Sequence, residues 1–106
     1  MPAKNPKSLS LRLKDRPYQV SVAGSFNDWS CFSHPMYLSS SGSWETKLQL
    51  APGLHRYRFL IDNRVWLLDP LADTLLNQYG GTDSVLIVER PKNRLVSENR
   101  LVEQFA

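Results

Sequence analysis

The chain has 106 residues, of which 42% are hydrophobic and 10% aromatic, a composition typical of one small globular domain. No apolar run approaches the roughly 18 to 20 residues that a membrane span requires, and no signal-peptide hydrophobic region follows the N-terminus. These features predict a cytoplasmic domain without a membrane partner.

The net charge of +3 is concentrated at the two ends of the chain. Residues 1–16 carry five basic side chains and one acidic side chain, which gives +4. Residues 89–106 carry four basic and three acidic side chains, which gives +1. The interval 17–88 has four basic and six acidic side chains, which gives −2. A phosphate-binding face needs basic residues on the folded surface, so this distribution argues against a nucleic-acid partner.

The sequence offers few groups for metal or redox chemistry. Cys31 is the only cysteine, and together with His34 and His55 it falls short of a four-ligand metal site. We therefore expect Cys31 to behave as a small, buried or half-buried hydrophobic residue. We expect no structural metal and no cofactor.

Alternation of apolar and polar residues predicts two strands near the N-terminus. Residues 1–7 contain two prolines and two lysines and are expected to form a flexible lead-in. Alternating leucines between residues 9 and 13 predict the first strand, and an alternating apolar series from Tyr18 to Val22 predicts the second. Residues 15–17 turn the chain between them, so the two strands are expected to form a hairpin.

The middle of the chain continues this pattern with turn-rich segments between strands. Residues 24–42 are rich in turn residues and hold one short predicted strand at residues 36–38. Trp44 heads an alternating strand and is expected to lie in the core. After the Pro52-Gly53 turn, the strand from Leu54 to Ile61 has two faces. His55, Tyr57, Phe59 and Ile61 are expected to point inward, and Arg56 and Arg58 outward.

The last third of the chain predicts one more hairpin and one more strand. Asp62-Asn63 is a turn signal that leads into a segment containing Trp66, and Asp69-Pro70 ends that segment. Residues 71–83 are expected to form an irregular loop. The apolar residues 84–88 predict a strand in a central position.

About seven short strands, with turn signals every eight to twelve residues or so, are typical of a β-sandwich. We therefore predict an all-β fold, an immunoglobulin-like sandwich of two antiparallel sheets. The sandwich is expected to span residues 8–90, and residues 91–106 to form a C-terminal extension. Within the extension, residues 94–105 have a modest helical pattern that predicts a short helix on the domain.

Two tryptophans lie in segments rich in turn residues. Trp29 follows Gly24-Ser25-Phe26-Asn27-Asp28, and Trp66 follows the predicted hairpin turn. A soluble domain usually buries its indoles, because each one removes a large apolar area from water. The polar residues around these two favour flat rings on the surface, where the apolar face of a sugar can stack. The alternative is an indole that caps the core at the end of a hairpin.

A catalytic site is not predicted. Asp62, Asp69 and Asp73 are candidates for the paired carboxylates of a glycosidase. However, Asp62 and Asp69 occupy turn positions, where aspartate accepts backbone hydrogen bonds. The serines and histidines form no recognisable nucleophile motif, so we expect a non-catalytic domain.

Several motifs, in their order and spacing, resemble one known family. They are Val22 to Trp29, Trp44 with Leu48 and Leu50, Pro52-Gly53, Tyr57 to Asp62, and Trp66 to Pro70. The chain from about Leu9 to Val88 is similar to carbohydrate-binding module family 48. That family includes the glycogen-binding domain of the β-subunit of AMP-activated protein kinase and the N-terminal domains of isoamylases and branching enzymes. The resemblance implies an early-set immunoglobulin-like sandwich that binds the α-1,4-linked glucan of glycogen or starch.

The resemblance also implies roles for particular residues. Trp29 and Trp66 match stacking tryptophans, and Arg58 matches a lysine that hydrogen-bonds sugar hydroxyls. Tyr79 matches an apolar loop residue that presses into the concave side of the glucan, and Asp83 matches a hydrogen-bonding asparagine. Two further residues are expected to supply directional hydrogen bonds: Asn27 and Asn77.

Some positions depart from the family pattern. Asn63 replaces the usual turn glycine, and Val65 is an extra residue before the second tryptophan. Arg58 keeps the charge of lysine and gains fork-shaped donors, whereas Asp83 loses the donors of an amide. Tyr79 is bulkier than an aliphatic residue, which suits it to stacking.

The predicted function is a non-catalytic module that binds α-glucan and brings a glycogen-metabolising enzyme or regulator to it. The alternative is an early-set docking domain without a sugar ligand. In that case the segment Arg94–Ala106, which lies beyond the family match, engages a partner protein. Substitution of the two surface tryptophans separates these functions, because it removes glucan binding and spares docking through the tail.

Overall fold

The computed structural model describes residues 4–90, which form an all-β fold. The strands in chain order are β1 Asn5–Leu11, β2 Val20–Gly24, β3 Tyr37–Leu38, β4 Trp44–Leu50, β5 Gly53–Ile61, β6 Val65–Leu67, β7 Asp73–Leu76 and β8 Thr82–Val88. A 3₁₀ turn, Ser25–Asn27, follows β2. The helix predicted for residues 94–105 lies outside the described residues.

The strands form two antiparallel sheets, which confirms the predicted sandwich. The smaller sheet has the order β1-β4-β3, and the larger has the order β2-β5-β8-β7, with β6 pairing with β5. Strand β8 pairs with both β5 and β7, so its predicted central position is also confirmed. Strand β5 contacts β2, β6 and β8 and is the strand on which the candidate site is built.

Apolar side chains from both sheets meet in one core. Trp44 is buried there as predicted, and the rings of Tyr57 and Phe59 pack edge to face with centroids 5.9 Å apart. Removal of these surfaces from water is the main force that holds the sheets together. The buried cluster consists of Leu9, Leu11, Val20, Val22, Met36, Trp44, Leu48, Leu50, Tyr57, Phe59 and Val88.

The predicted hairpin between the first two strands is wrong. Strand β1 pairs with β4 and strand β2 pairs with β5, so the two belong to different sheets. Alternation shows which side chains point inward, but it does not specify the neighbouring strand. The leucines of β1 and the valines of β2 reach the same core from opposite sides.

Two expectations near the N-terminus also need correction. Residues 5–7, expected in the lead-in, belong to β1 and pair with residues 48–50. Strand β1 is an edge strand, a position that tolerates Pro6. Tyr18, expected to point inward, is 99% exposed, because β2 begins only at Val20.

The segment 71–83, expected to be an irregular loop, contains β7. All four residues of this edge strand are exposed. Because neither face of β7 is buried in the core, its residues do not alternate between apolar and polar side chains. The sequence pattern therefore did not predict this strand.

Within residues 4–90 there is no helix long and apolar enough to cross a membrane. This part of the chain also brings no three His, Cys, Asp or Glu side chains together as a metal site would require. Cys31 is half-buried and has a free thiol.

Candidate functional site

A cleft of about 570 Å³ lies where the loop after β2, strand β5 and the β7–β8 loop meet. Its volume is in the range of small-ligand sites. Five of the residues predicted from the sequence converge here: Trp29, Arg58, Asn77, Tyr79 and Asp83. The remaining lining residues are Arg56, Leu76 and Gln78.

The loop after β2 turns sharply and brings the indole of Trp29 to the edge of the cleft. Asp28 and Trp29 have positive φ angles of 54° and 57°. This left-handed conformation is uncommon for residues other than glycine and is costly for a bulky one. The Trp29 N–H donates to the carbonyl of Gly24 at 2.8 Å, which closes the turn. The tryptophan side chain remains 38% exposed.

Asn27 holds this loop together and does not line the cleft. Its Oδ1 accepts the N–H groups of Gly24 and Ser30 at 3.0 and 3.2 Å. Its Nδ2 donates to the carbonyl of Val22 at 3.1 Å and lies 2.8 Å from Nδ1 of His34. The donors and acceptors of this amide are therefore used within the fold, and the sugar contact expected from the sequence has no free group to make it.

Asn77 builds the second loop at the cleft in a similar way. Its Oδ1 accepts the N–H groups of Tyr79 and Gly81 at 2.9 and 3.1 Å, and its Nδ2 donates to Asp83 Oδ1 at 3.2 Å. Gly80 has a φ of +88°, which a residue without a Cβ adopts at little cost. The loop places Tyr79 at the cleft, where its side chain is 86% exposed.

Two arginines and one carboxylate form a cluster inside the cleft. Asp83 Oδ1 accepts Nε of Arg58 at 3.3 Å, and Oδ2 accepts Nη1 of Arg56 at 3.4 Å. Arg56 also donates to the carbonyl of Leu76 at 3.2 Å, and Arg58 donates to the carbonyl of Thr82. The Asp83 side chain is nearly buried, so pairing compensates the cost of removing its charge from water. Its carboxylate orients the two guanidinium groups, which was not expected from the sequence.

Three lining residues were not singled out by the sequence. Arg56 had a signal, because alternation along β5 places it on the same outward face as Arg58. Leu76 and Gln78 had none. Leu76 is placed by its pairing with Thr82 between β7 and β8, and Gln78 by the loop that Asn77 holds together.

Trp66 lies on the same sheet face as Arg58 but does not line the cleft. It pairs with Leu60 between β6 and β5. Directly opposed residues of antiparallel strands share a face, and so do Leu60 and Arg58, two positions apart. The Trp66 side chain is 42% exposed, so this sheet face carries a second accessible indole.

The turn before Trp66 is formed without a glycine. Asp62 and Asn63 have φ angles of 50° and 58°, and asparagine enters this left-handed region more readily than most residues. Oδ1 of Asp62 accepts the N–H groups of Tyr18 and Gln19 at 2.7 and 3.0 Å. The carboxylate is thus engaged with backbone donors.

Buried hydrogen bonds hold the segment after β6 against the sheet. The Tyr57 hydroxyl donates to Asp69 Oδ2 at 2.6 Å, and the Leu71 N–H donates to Asp69 Oδ1 at 2.9 Å. The Asp69 N–H donates to Ser84 Oγ at 2.8 Å. Burial, reinforced by Asp69, raises the pKa of the Tyr57 phenol. Asp69 therefore has a structural role, as its turn position predicted.

The fold and the cleft define a class of protein: an all-β domain with exposed aromatic rings and polar groups at one sheet. Residues 8–94 match the family described as the glycogen recognition site of AMP-activated protein kinase. The chain belongs to this family, which is of the carbohydrate-binding module family 48 type. The resemblance inferred from the motifs is thereby confirmed.

The relatives of this chain include protein kinase subunits. It is 32% identical over 91 residues to the SNF1 protein kinase subunit beta-2 of Saccharomyces cerevisiae, covering 85% of this chain and 22% of the relative. It is 28% identical over 89 residues to the 5'-AMP-activated protein kinase subunit beta-2 of Mus musculus, covering 84% of this chain and 32% of the relative. It is 32% identical over 72 residues to the 5'-AMP-activated protein kinase subunit beta-1 of Sus scrofa, covering 68% and 56%.

The chain thus matches 22% to 56% of the length of these three relatives. Strand β1 begins at Asn5, so the sandwich starts before the predicted residue 8. The boundary at residue 90 and the cytoplasmic location stay predictions.

Proposed function

We propose that this domain is a non-catalytic module that binds α-1,4-linked glucan by stacking sugar rings on exposed aromatic side chains. The observation that carries the proposal is the cleft in which Trp29 and Tyr79 lie beside the polar groups of Arg58 and Asn77. Membership in a glycogen recognition family supports the same ligand class.

The chemistry of the cleft suits a glucose unit. A pyranose has an apolar C–H face and a rim of hydroxyl groups. Trp29 and Tyr79 offer flat surfaces for the C–H face, each contact contributing about 1 kcal/mol by analogy with other aromatic contacts. The Arg58 guanidinium supplies donors for the hydroxyl groups. Trp66, on the face that carries Arg58, extends the contact to a further unit of the glucan.

The cleft is open and small, so a single site binds weakly. A polymer such as glycogen presents many equivalent chain ends and branches, and several modules on one particle strengthen retention without any new contact. We therefore expect low affinity for short oligosaccharides and clear retention on the polymer.

The carboxylates support the absence of catalysis in this proposal. A glycosidase requires two carboxyl groups on opposite sides of the scissile bond. Among the residues that line the cleft, Asp83 is the one acid, and its oxygens accept from two arginines and from Asn77. Asp62 accepts a hydrogen bond from the backbone N–H of Tyr18, and Asp69 accepts one from the hydroxyl of the buried Tyr57.

Titration with maltoheptaose or β-cyclodextrin, followed by tryptophan fluorescence, tests the proposal. Cellohexaose, which has β-linkages, is the control ligand. We expect a saturable change with the α-glucans alone, a loss of binding in Trp29→Ala and weaker binding in Trp66→Ala. Tyr18→Ala is the matched control variant, because Tyr18 is exposed and does not line the cleft.

The glucan proposal fails if no sugar changes the fluorescence and glycogen in a gel does not retard the protein. The docking-domain alternative then becomes the working hypothesis.

We further propose that glucan binding brings an attached or associated enzyme or regulator to glycogen. The relatives are named as protein kinase subunits and are longer than this chain, which supports a module that acts within a larger assembly. Trp29→Ala and Trp66→Ala should release the assembly from glycogen while its protein contacts persist. Loss of the protein contacts in these variants would instead support a docking surface that includes Trp29 and Trp66.

A further inference from the structure

The arginine cluster of the cleft carries a net charge of +1, because Arg56 and Arg58 share the single carboxylate of Asp83. The Asp83 side chain is 8% exposed, whereas the arginine side chains are 32% and 28% exposed. The negative charge therefore lies beneath the positive charges. A ligand in the cleft meets a cationic surface.

The guanidinium groups retain donors for a ligand. Arg56 uses Nη1 toward Leu76 and Asp83, and Arg58 uses Nε and Nη2 toward Asp83 and Thr82. Three side-chain nitrogens of the two arginines form no hydrogen bond within residues 4–90: Nε and Nη2 of Arg56, and Nη1 of Arg58. Such N–H groups match the oxygens of an anion in a two-pronged arrangement.

Arg56 is the residue that makes the cluster cationic. Arg58 and Asp83 alone balance to zero, and a neutral pair is sufficient to hydrogen-bond the hydroxyl groups of a neutral sugar. The second guanidinium adds a charge that an uncharged glucan does not use. Asp28, the acidic residue next to Trp29 in the chain, is not among the residues that line the cleft.

We propose that Arg56 and Arg58 together bind a phosphate monoester carried by the glucan, while Trp29 and Tyr79 contact the sugar rings. A phosphate monoester has a charge between about −1.5 and −2 near neutral pH and three acceptor oxygens, which suit the several donors left on two guanidinium groups. This inference rests on the proposed glucan binding and narrows the ligand class to phosphorylated α-glucan.

Calorimetric titration of the full chain with two ligands tests the inference: maltopentaose, and maltopentaose with one phosphate on a glucose O6. We expect the phosphorylated ligand to bind about tenfold more tightly, the effect of one added charge-assisted hydrogen bond. The preference should shrink as ionic strength rises from about 0.01 M to about 1 M, because the Debye length falls from ~30 Å to ~3 Å.

Variants at position 56 separate charge from shape. Arg56→Gln makes the cluster neutral, and we expect the ratio of the two affinities to fall toward one. Arg56→Lys keeps the charge without the fork, and we expect it to retain part of the preference. Thermal denaturation of both variants checks that the fold is intact.

The outcomes distinguish this inference from the function on which it rests. Equal affinity for the two glucans, or a preference that Arg56→Gln leaves intact, overturns the phosphate inference and leaves α-glucan binding in place. Failure of both glucans to bind overturns both proposals. Inorganic phosphate alone serves as the third ligand, and an affinity equal to that of the phosphorylated glucan would also overturn the inference, because the sugar would then contribute nothing.

Discussion

The side-chain nitrogen of Asn27 lies 2.8 Å from Nδ1 of His34. This contact joins the loop that carries Trp29 to the segment beside β2, since the His34 carbonyl accepts the N–H of Val22 at 2.9 Å. The same amide accepts backbone N–H groups from both sides of the turn. The position of the Trp29 indole therefore depends on a residue that does not touch the cleft.

Replacement of Asn27 by alanine should weaken both the fold and glucan binding. Asn27→Ala leaves the N–H groups of Gly24 and Ser30 without their partner, so we expect the free energy of unfolding to fall by about 1–3 kcal/mol. Urea denaturation measures this change. The control is Gln49→Ala, at an exposed position of strand β4. Unchanged stability together with unchanged affinity for maltoheptaose would contradict the role given to Asn27.

At the start of the same loop, neighbouring atoms leave no room for a side chain at Gly24. A Cβ at this position would lie 2.6 Å from Cε2 of Phe26 and 2.9 Å from Cβ of Tyr57. We expect Gly24→Ala to lower the free energy of unfolding by about 1–3 kcal/mol, because the core has to shift. Gly81→Ala is the matched control, since its Cβ would meet Nη2 of Arg58 at an ordinary 3.6 Å. Equal melting temperatures for the two variants would disprove the steric argument.

The three tryptophans should report different environments. Trp44 is in the core, whereas Trp29 and Trp66 are partly exposed. In variants that retain one tryptophan and have phenylalanine at the other two positions, acrylamide should quench Trp44 least. Maltoheptaose should protect Trp29 from the quencher. Equal quenching of all three, or no protection of Trp29, would contradict this assignment.

Trp44→Ala should act on stability and not on recognition. Removal of the buried indole leaves a large cavity, so we expect the free energy of unfolding to fall by about 3–5 kcal/mol. Trp66→Ala removes a partly exposed ring and should cost much less. Denaturation by urea separates the two, and a larger loss for Trp66→Ala would show that this indole caps the core.

Stability should fall at alkaline pH because the pKa of Tyr57 is raised in the fold above its ordinary value of about 10. The native state holds the phenol proton more strongly than the unfolded state. Its stabilising effect is therefore complete below pH ~10 and is lost as the pH rises further, by up to about 1.4 kcal/mol per pH unit. Tyr57→Phe should flatten this dependence.

At neutral pH, Tyr57→Phe should cost about 1–3 kcal/mol, because the buried Asp69 loses a hydrogen-bond donor. Denaturation curves across the alkaline range measure both effects. Tyr18→Phe, at an exposed position, is the control and should keep the unaltered pH dependence. Parallel curves for the unaltered protein and Tyr57→Phe would contradict the prediction.

Much of the fold was predictable because strand patterns are local. Alternation identified Trp44, Tyr57 and Phe59 as core residues and placed Arg56 and Arg58 on the opposite face. It missed β7, whose side chains are all exposed. In the site, the sequence predicted five of the lining residues, but it did not predict that Asp83 binds two arginines.

The amino-acid pattern was sufficient to identify most of the inward-pointing side chains of β2, β4 and β5, with Tyr18 as an error. Inward positions follow from residue types a few positions apart, because backbone geometry sets the periodicity. The order and spacing of the motifs along the chain were sufficient to identify the family. Only the tertiary structure decided that β1 pairs with β4 and that Arg58 reaches Asp83, 25 positions away in the chain. Such contacts depend on which strands become neighbours, and a pattern of period two is compatible with many pairings.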